Sequence, residues 1–360
     1  MPALLHSADQ VTPDWLTEAL RDGGAMESGT VVDASITPIG TGQMADTVRI
    51  GLTYNPRGSG PKSVIAKFAS HNEQSRATGL ALRAYEIEIR FYQEVASLVT
   101  ARVPASYLAK VDPETGWFTL VLEDIDAGEA GDQIEACGPD RAAAALEELA
   151  GLHAPCWELP QLAALSWLNR SSPDSDAFMA ALLSSVLPGF LERYGDALAP
   201  EHARLCERFV ADAAIWFAHR VGPRTASHGD FRLDNLLFVS GDPRPVVVDW
   251  QTLSWSGCTF DVAYFIGGCL SVEDRRAHEV DLLTQYHQAL CARGVSDYSL
   301  EQLHRDARRD TFGGLLMAIL ASMVVERTDR GDLMFVTSAG RHAQHAIDSG
   351  AVAFLEEAGD

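Results

Sequence analysis

The hydrophobic period of this chain changes once, near residue 123. Before that point, apolar residues come in short alternating runs separated by turn residues. Segments 31–39, 47–54, 63–68, 105–111 and 117–123 read as strands, divided by "GTGQMADT", by a Gly/Pro loop and by "DPETG". Two helices are predicted among them. One covers 11–21, with Thr12 as N-cap, Pro13 as first helical residue and Gly23-Gly24 as the stop. A long one covers 78–98, with Leu82, Tyr85, Ile89, Tyr92 and Ala96 on one stripe. After "EDIDAGEAGDQ" the period becomes helical, over 139–153, 174–187, 200–220, 260–270, 274–293, 300–326 and 338–357. One hairpin interrupts it, with strands 236–239 and 246–249 around the turn "SGDPRP". The pattern predicts an α+β chain. Its lobe 1–123 holds a five-stranded antiparallel sheet, a linker lies at 123–128, and 124–360 form a mainly helical lobe.

Composition narrows the partners. A formal charge of −22 on 360 residues argues against nucleic acid or an anionic membrane surface, because like charges repel. The longest apolar run, 313–325, is too short to span a bilayer, so no membrane insertion is expected. Cys137, Cys156, Cys206, Cys258, Cys269 and Cys291 show no CxxC spacing, and the first residues do not resemble a signal peptide. The expectation is a cytoplasmic protein with reduced thiols. Only Lys62, Lys67 and Lys110 among 28 basic residues are lysines, which makes Lys67, inside the apolar strand "SVIAKF", conspicuous.

The stretch "SHGDFRLDNLLF" (227–238) crowds His228, Asp230, Asp234 and Asn235 at the mouth of an apolar strand. A turn needs one such residue. The hairpin brings Asn235, at the start of its first strand, to roughly one strand spacing (~5 Å) from Asp249, at the end of its second. Asp230 lies in the loop feeding the same end. Two carboxylates and a carboxamide oxygen suit Mg²⁺, which takes one or two carboxylates together with substrate phosphates.

"HGDFRLDN" resembles the H-G-D-x-x-x-x-N catalytic loop of the aminoglycoside phosphotransferase-like kinases, and "VVVDW" (246–250) resembles their second metal-binding segment. The likeness runs from about 37 to 265 and implies a two-lobed protein-kinase-like fold. It implies transfer of the γ-phosphoryl group of ATP to a small-molecule hydroxyl. Asp230 would orient the acceptor and take its proton, and Asn235 and Asp249 would hold Mg²⁺. Lys67 would reach the phosphates. Tyr85-x-x-Glu88-x-x-Phe91-Tyr92 is similar to a pattern of the ecdysteroid-kinase-like and choline-kinase-like branches and implies that Glu88 holds Lys67. Glu86 is the alternative, otherwise read as a solvated helix face. Gly40 and Gly42 in "PIGTGQMADTV" would cover the phosphates, although a third glycine is missing. The backbone of Glu123 to Ile125 would meet the adenine edge. Asp261 in "CTFDVAYF" would brace the catalytic loop, and His228 would orient it. Arg232 would meet phosphate or substrate, and Asp234 is read as structural or solvated.

Other readings compete. One is an aminoglycoside O-phosphotransferase proper, one a nucleotide-binding homologue without catalysis, and one a Mg²⁺-dependent phosphate-ester hydrolase. The hydrolase leaves Lys67, Glu88 and the linker unexplained. His342 and His345, three residues apart, read as a helix face rather than a metal pair. Leu315, Leu316, Ile319 and Met323 read as core or as a wall of the acceptor pocket. Helices rich in Leu, Met, Phe and Trp point to an apolar alcohol, sterol-like or hydroxyacyl, as acceptor.

Overall fold

A computed structural model describes residues 2–39, 45–126 and 128–356. The glycine pair Gly40 and Gly42 falls outside the described residues. The chain divides into two compact units. The first contains Met1–Leu98, Val103–Gly128 and Val248–Thr252, and the second contains Val99–Arg102, Glu129–Val247 and Leu253–Asp360.

In the first unit, helix α1 (Pro13–Asp22) starts where the Thr12 hydroxyl accepts the Trp15 N–H, and it ends at Gly23. Glycine is required there, because a Cβ would stand 2.3 Å from the Tyr107 carbonyl oxygen. Strands β1 (Thr30–Pro38), β2 (Ala45–Asn55), β3 (Ser63–Ala69), β4 (Ser106–Val111) and β5 (Phe118–Glu123) form one antiparallel sheet in the order β1-β2-β3-β5-β4. One face packs Val64, Ala66, Phe68 and Val121 against Leu16, Ala19 and Leu20 of α1. Strand alternation sends Ile65 and Lys67 to the opposite face, where Tyr85 and Ile89 pack on Leu120 and Leu122.

The helix predicted over 78–98 is three pieces. Helix α2 (Glu73–Ala81) is capped by Asn72, Arg83 adopts φ 57°, helix α3 (Ala84–Arg90) follows, and Phe91–Val95 form a π-turn. The break lets Tyr85 fold onto Gly79, where a Cβ would come within 2.4 Å of its ring.

In the second unit, β6 (Gly128–Ala130) joins the hairpin strands β8 (Leu236–Val239) and β9 (Val246–Val247) in the order β6-β8-β9. Strand β9 is shorter than predicted. It ends at Val247, so Asp249 is no strand end but lies two residues beyond it with a left-handed backbone, φ 69°. A second pairing, β7 (Thr225–Ser227) with β10 (Ser254–Ser256), is too short to show a period in sequence. Helix α4 (Pro139–His153) matches its predicted span, and a single turn, α5 (Pro160–Ala163), follows. Helix α6 (Pro173–Tyr194) runs through Pro188, because the buried Leu183, Phe190 and Tyr194 hold its far end. The predicted 200–220 helix breaks at Asp212 into α7 (Pro200–Ala211) and α8 (Ala213–Ala218). Helices α9 (Thr259–Cys269) and α10 (Val272–Ala292) follow. The predicted 300–326 helix divides at Thr311 into α11 (Leu300–Asp310) and α12 (Phe312–Val324). The last helix, α13 (Asp329–Asp348), starts at the Thr328 cap, earlier than predicted, with a polar first turn, Asp329 to Asp332, ahead of the apolar Leu333 to Val336. Leu315, Leu316 and Ile319 are core, packed with Phe190, Phe209, Trp216 and Phe312; Met323 is half-buried against them.

Candidate active site

The first unit gathers charge around Lys67. Its Nζ donates to both Glu88 oxygens at 2.7 Å and to Asp249 Oδ1 at 3.2 Å. Burial opposes the ammonium charge, but the Glu88 and Asp249 carboxylates outweigh it and hold Lys67 above its ordinary range. Glu88 is itself pushed up by burial, against the pull of Lys67. Glu86 does not compete for the lysine. It is buried, not solvated, and accepts from Arg83 at 2.9 Å and from Arg90 at 2.8 Å. The π-turn turns Phe91 onto Trp250, with centroids 3.7 Å apart and planes within 7°, and this stack fixes the residue next to Asp249. Gln251 donates to Asp249 Oδ2 at 3.2 Å.

The Glu123-to-Ile125 segment is partly committed. The Glu123 N–H bonds the Ala105 carbonyl at 2.8 Å, and the Ile125 carbonyl accepts from Gly128 at 3.1 Å. Arg49 and Ser63 both donate to the Asp124 carboxylate.

The second unit organises the polar loop. Asp261, fully buried in the first turn of α9, accepts from the backbone N–H of His228 at 2.7 Å and of Gly229 at 2.8 Å. It also accepts from Ser227 Oγ at 2.9 Å and contacts His153 Nε2 at 3.1 Å. Burial alone would raise its pKa, yet the His153 contact and the loop amides hold it below the usual carboxylate value. Gly229 takes φ 82°, which a residue with a Cβ rarely adopts. The His228 ring is buried and accepts the Asp230 N–H at its Nδ1, at 3.3 Å.

Asp230 has donors on both oxygens. Tyr264 Oη reaches Oδ1 at 3.0 Å, while Arg232 Nε at 3.2 Å and Asn235 Nδ2 at 3.1 Å reach Oδ2. Asn235 also donates to the Asp230 carbonyl at 2.9 Å, so its remaining polar side-chain atom is the Oδ1 oxygen. Asp234 is structural: it pairs with Arg232 at 2.7 Å and Arg330 at 3.1 Å and accepts the Gln133 N–H.

Tyr264 was not singled out from sequence. Its i+3 spacing from Asp261 places both on one face of α9, and that was the available signal. Burial, and then the Asp230 carboxylate, push its hydroxyl well above the ordinary tyrosine range, so it stays a donor. Its ring stacks on His342 at 5.4 Å and 15°. His345 contacts Glu279 at 2.7 Å.

Residues 40–294 match the model of the ecdysteroid kinase-like family. The chain belongs to that family. The ecdysteroid kinase-like match spans Lys67, Glu88, Asp230, Asn235, Asp249, Asp261 and Tyr264. No curated protein matches the sequence. Among solved structures, the chain is similar to choline kinase from Cryptosporidium parvum Iowa II, at TM-score 0.57 and 8% identity, covering 88% of this chain and 89% of that one. It is similar to Plasmodium vivax ethanolamine kinase at TM-score 0.54 and 12% identity, covering 86% and 82%. It is also similar to a GDP complex of a mutant aminoglycoside 2'-phosphotransferase-IIIa, at TM-score 0.52 and 13% identity, covering 95% and 100%. At these identities the likeness is one of fold. The expected α+β kinase-like architecture, a five-stranded antiparallel sheet followed by a mainly helical region, is the one this family member has.

Proposed function

We propose that the protein transfers the γ-phosphoryl group of ATP to the hydroxyl of a small molecule. The observation that carries this reading is the half-buried strand lysine Lys67, held by both oxygens of Glu88 and by Asp249. One lysine set between two carboxylates, Glu88 buried and Asp249 partly exposed, leaves an excess negative charge, and phosphate positioning needs such a fixed cation beside a metal-binding carboxylate.

The roles follow from the chemistry of each group. Lys67, positioned by Glu88, binds the α/β phosphates. Asp230 orients the acceptor hydroxyl and takes its proton, and Asp261 and His228 keep the loop in shape for it. Asn235 offers a carbonyl oxygen and Asp249 offers carboxylate oxygens, a hard donor set that fits Mg²⁺. Each would hold the ion, which supplies neutralisation of charge on the phosphoryl oxygens. The Ile125 N–H and the carbonyls of Glu123 and Asp124 would meet the adenine edge. Arg232 balances Asp230 and Asp234 and leaves less charge for substrate.

The acceptor on this reading is an apolar alcohol. Carboxylates beside the catalytic loop are already taken by arginine: Asp234 by Arg232 and Arg330, and Asp132 by Arg330. That leaves few anions for the ammonium groups of an aminoglycoside. The first turns of α13 adjoin the loop, since Arg232 Nη1 lies 2.8 Å from Met334 Sδ, and Leu333 beside it is 54% exposed. Phe178 at 66% and Val324 at 45% add exposed apolar surface on the same unit. Calorimetric titration with Mg·ATP, followed by an ADP-release screen over alcohols and aminoglycosides, tests both levels. Full activity in Asp249→Ala would overturn the kinase reading. Robust ADP release with aminoglycosides and none with apolar alcohols would overturn the acceptor class alone.

A further inference from the structure

Cys137 and Cys269, 132 positions apart in sequence, meet in the helical unit. The Cys137 N–H donates to the Cys269 carbonyl at 2.7 Å. Adding an N–Cα bond of about 1.46 Å and a Cα-to-oxygen separation of about 2.4 Å puts the two Cα atoms at most about 6.6 Å apart. Disulfide-bonded cysteines span about 4.4–6.8 Å between Cα atoms, so the backbone separation does not exceed what a bond can bridge. The two thiols are in hydrogen-bonding contact. Arg341 clips the two segments together, donating to the carbonyls of Gln133 at 2.7 Å, Ile134 at 2.8 Å and Gly268 at 3.0 Å.

The two thiols differ in character. Cys137 is partly exposed, and the Cys269 hydrogen bond together with Arg141 and Arg341 holds it below the ordinary thiol value. Cys269 is buried, and burial keeps it well above that value. Cys156, Cys206 and Cys258 are each buried and pushed up to about 12. An accessible, acidified thiol beside a second thiol is the arrangement that reacts with peroxides and then resolves.

We propose that Cys137 and Cys269 form a hydroperoxide-reactive dithiol site, with Cys137 attacking and Cys269 resolving. The Cys137 sulfur bonds to one peroxide oxygen, the O–O bond breaks, and the departing oxygen takes the proton that Cys137 has released. Cys137 is left as a sulfenic acid. The Cys269 sulfur then bonds to the Cys137 sulfur, the S–O bond breaks, and hydroxide leaves as water with the Cys269 proton. The thiols lose two electrons and the peroxide gains both. The bond joins the end of α9, the helix carrying Asp261 and Tyr264, to the segment whose Gln133 accepts the Leu233 N–H and donates to Asp234. This chemistry is independent of the phosphotransferase reading.

The test uses the full chain, reduced, freed of reductant and exposed to hydrogen peroxide, followed by non-reducing peptide mass spectrometry. A cross-linked pair of Cys137 and Cys269 peptides, lighter by two hydrogens and separated again by dithiothreitol, is the expected result. The free-thiol count falls by two from six. In Cys269→Ser, a dimedone adduct accumulates at Cys137, while the wild-type mapping stands whether or not that variant folds. Cys137 and Cys269 recovered unlinked once Cys291 is oxidised, or Cys137 linked to another cysteine, overturns the proposal.

Discussion

Replacing Tyr264 by phenylalanine removes a single oxygen and keeps the ring that stacks on His342. What is lost is the donor to Asp230 Oδ1 at 3.0 Å, while Oδ2 keeps Arg232 and Asn235. A hydrogen bond to a charged group contributes about 1.5–3 kcal/mol net. The Asp230 side chain is 16% exposed, so water replaces part of the loss. That leaves about 1–2 kcal/mol of positioning at the acceptor oxygen, or roughly a 5- to 30-fold fall in kcat at 1.36 kcal/mol per tenfold. The substitution leaves Lys67, Glu88 and Asp249 untouched, so KM for ATP stays constant. The assay is initial-rate ADP release over a range of Mg·ATP at saturating acceptor, with Tm measured on the same preparation. A kcat within about twofold of wild type would refute the argument that Tyr264 holds the carboxylate in its working orientation. So would a raised KM for ATP at unchanged kcat.

Asp249→Ala and Asp230→Ala each abolish ADP release while circular dichroism stays native, since Lys67 keeps Glu88 in the first and Asp261 keeps the loop in the second. Glu88→Gln raises KM for ATP by roughly tenfold through loss of a charge-assisted bond. Glu86→Gln, which touches Arg83 and Arg90 but not Lys67, lowers Tm and leaves KM alone; equal KM values in the two variants would reverse the assignment. His342 is held neutral by burial and by His345 and Arg341, its pKa pushed down to about 3 from 6.5. The unfolded chain therefore binds the proton first. The stability is fully present above pH 6.5 and is lost as pH falls toward 3, by about 1.4 kcal/mol per pH unit. Urea titrations between pH 7 and 5 show that slope, and His342→Asn flattens it.

Much of the fold could be read from period and punctuation. Thr12, Pro13 and Gly23 bound α1 by local chemistry alone, and Gly138-Pro139 to His153 needed nothing beyond helical spacing. The failures are tertiary. Arg83 breaks a continuous helical period because Tyr85 packs onto Gly79, a contact no propensity reports. Pro188 does not stop α6, because Leu183, Phe190 and Tyr194 bury its far side. The hairpin spacing placed Asp249 at a strand end, and the structure does not. Asp249 stands past the end of β9 in a left-handed backbone conformation, beside the Phe91–Trp250 stack and outside the strand pairing.

The loop shows why polarity was legible while its organisation was not. Residue types in "SHGDFRLDN" announce a cluster, but acceptors and donors are matched by groups far away in sequence. Asp261 supplies the acceptor for two loop amides, Gln133 fastens Leu233 and Asp234, and Tyr264 completes Asp230. Each of these partners is buried or half-buried, so each must be hydrogen-bonded wherever the chain folds. A buried Asp at the start of an apolar helix, followed by Tyr at i+3, therefore carries as much information as the loop motif. Two polar side chains on one face of so apolar a helix need partners, and the loop is what they satisfy.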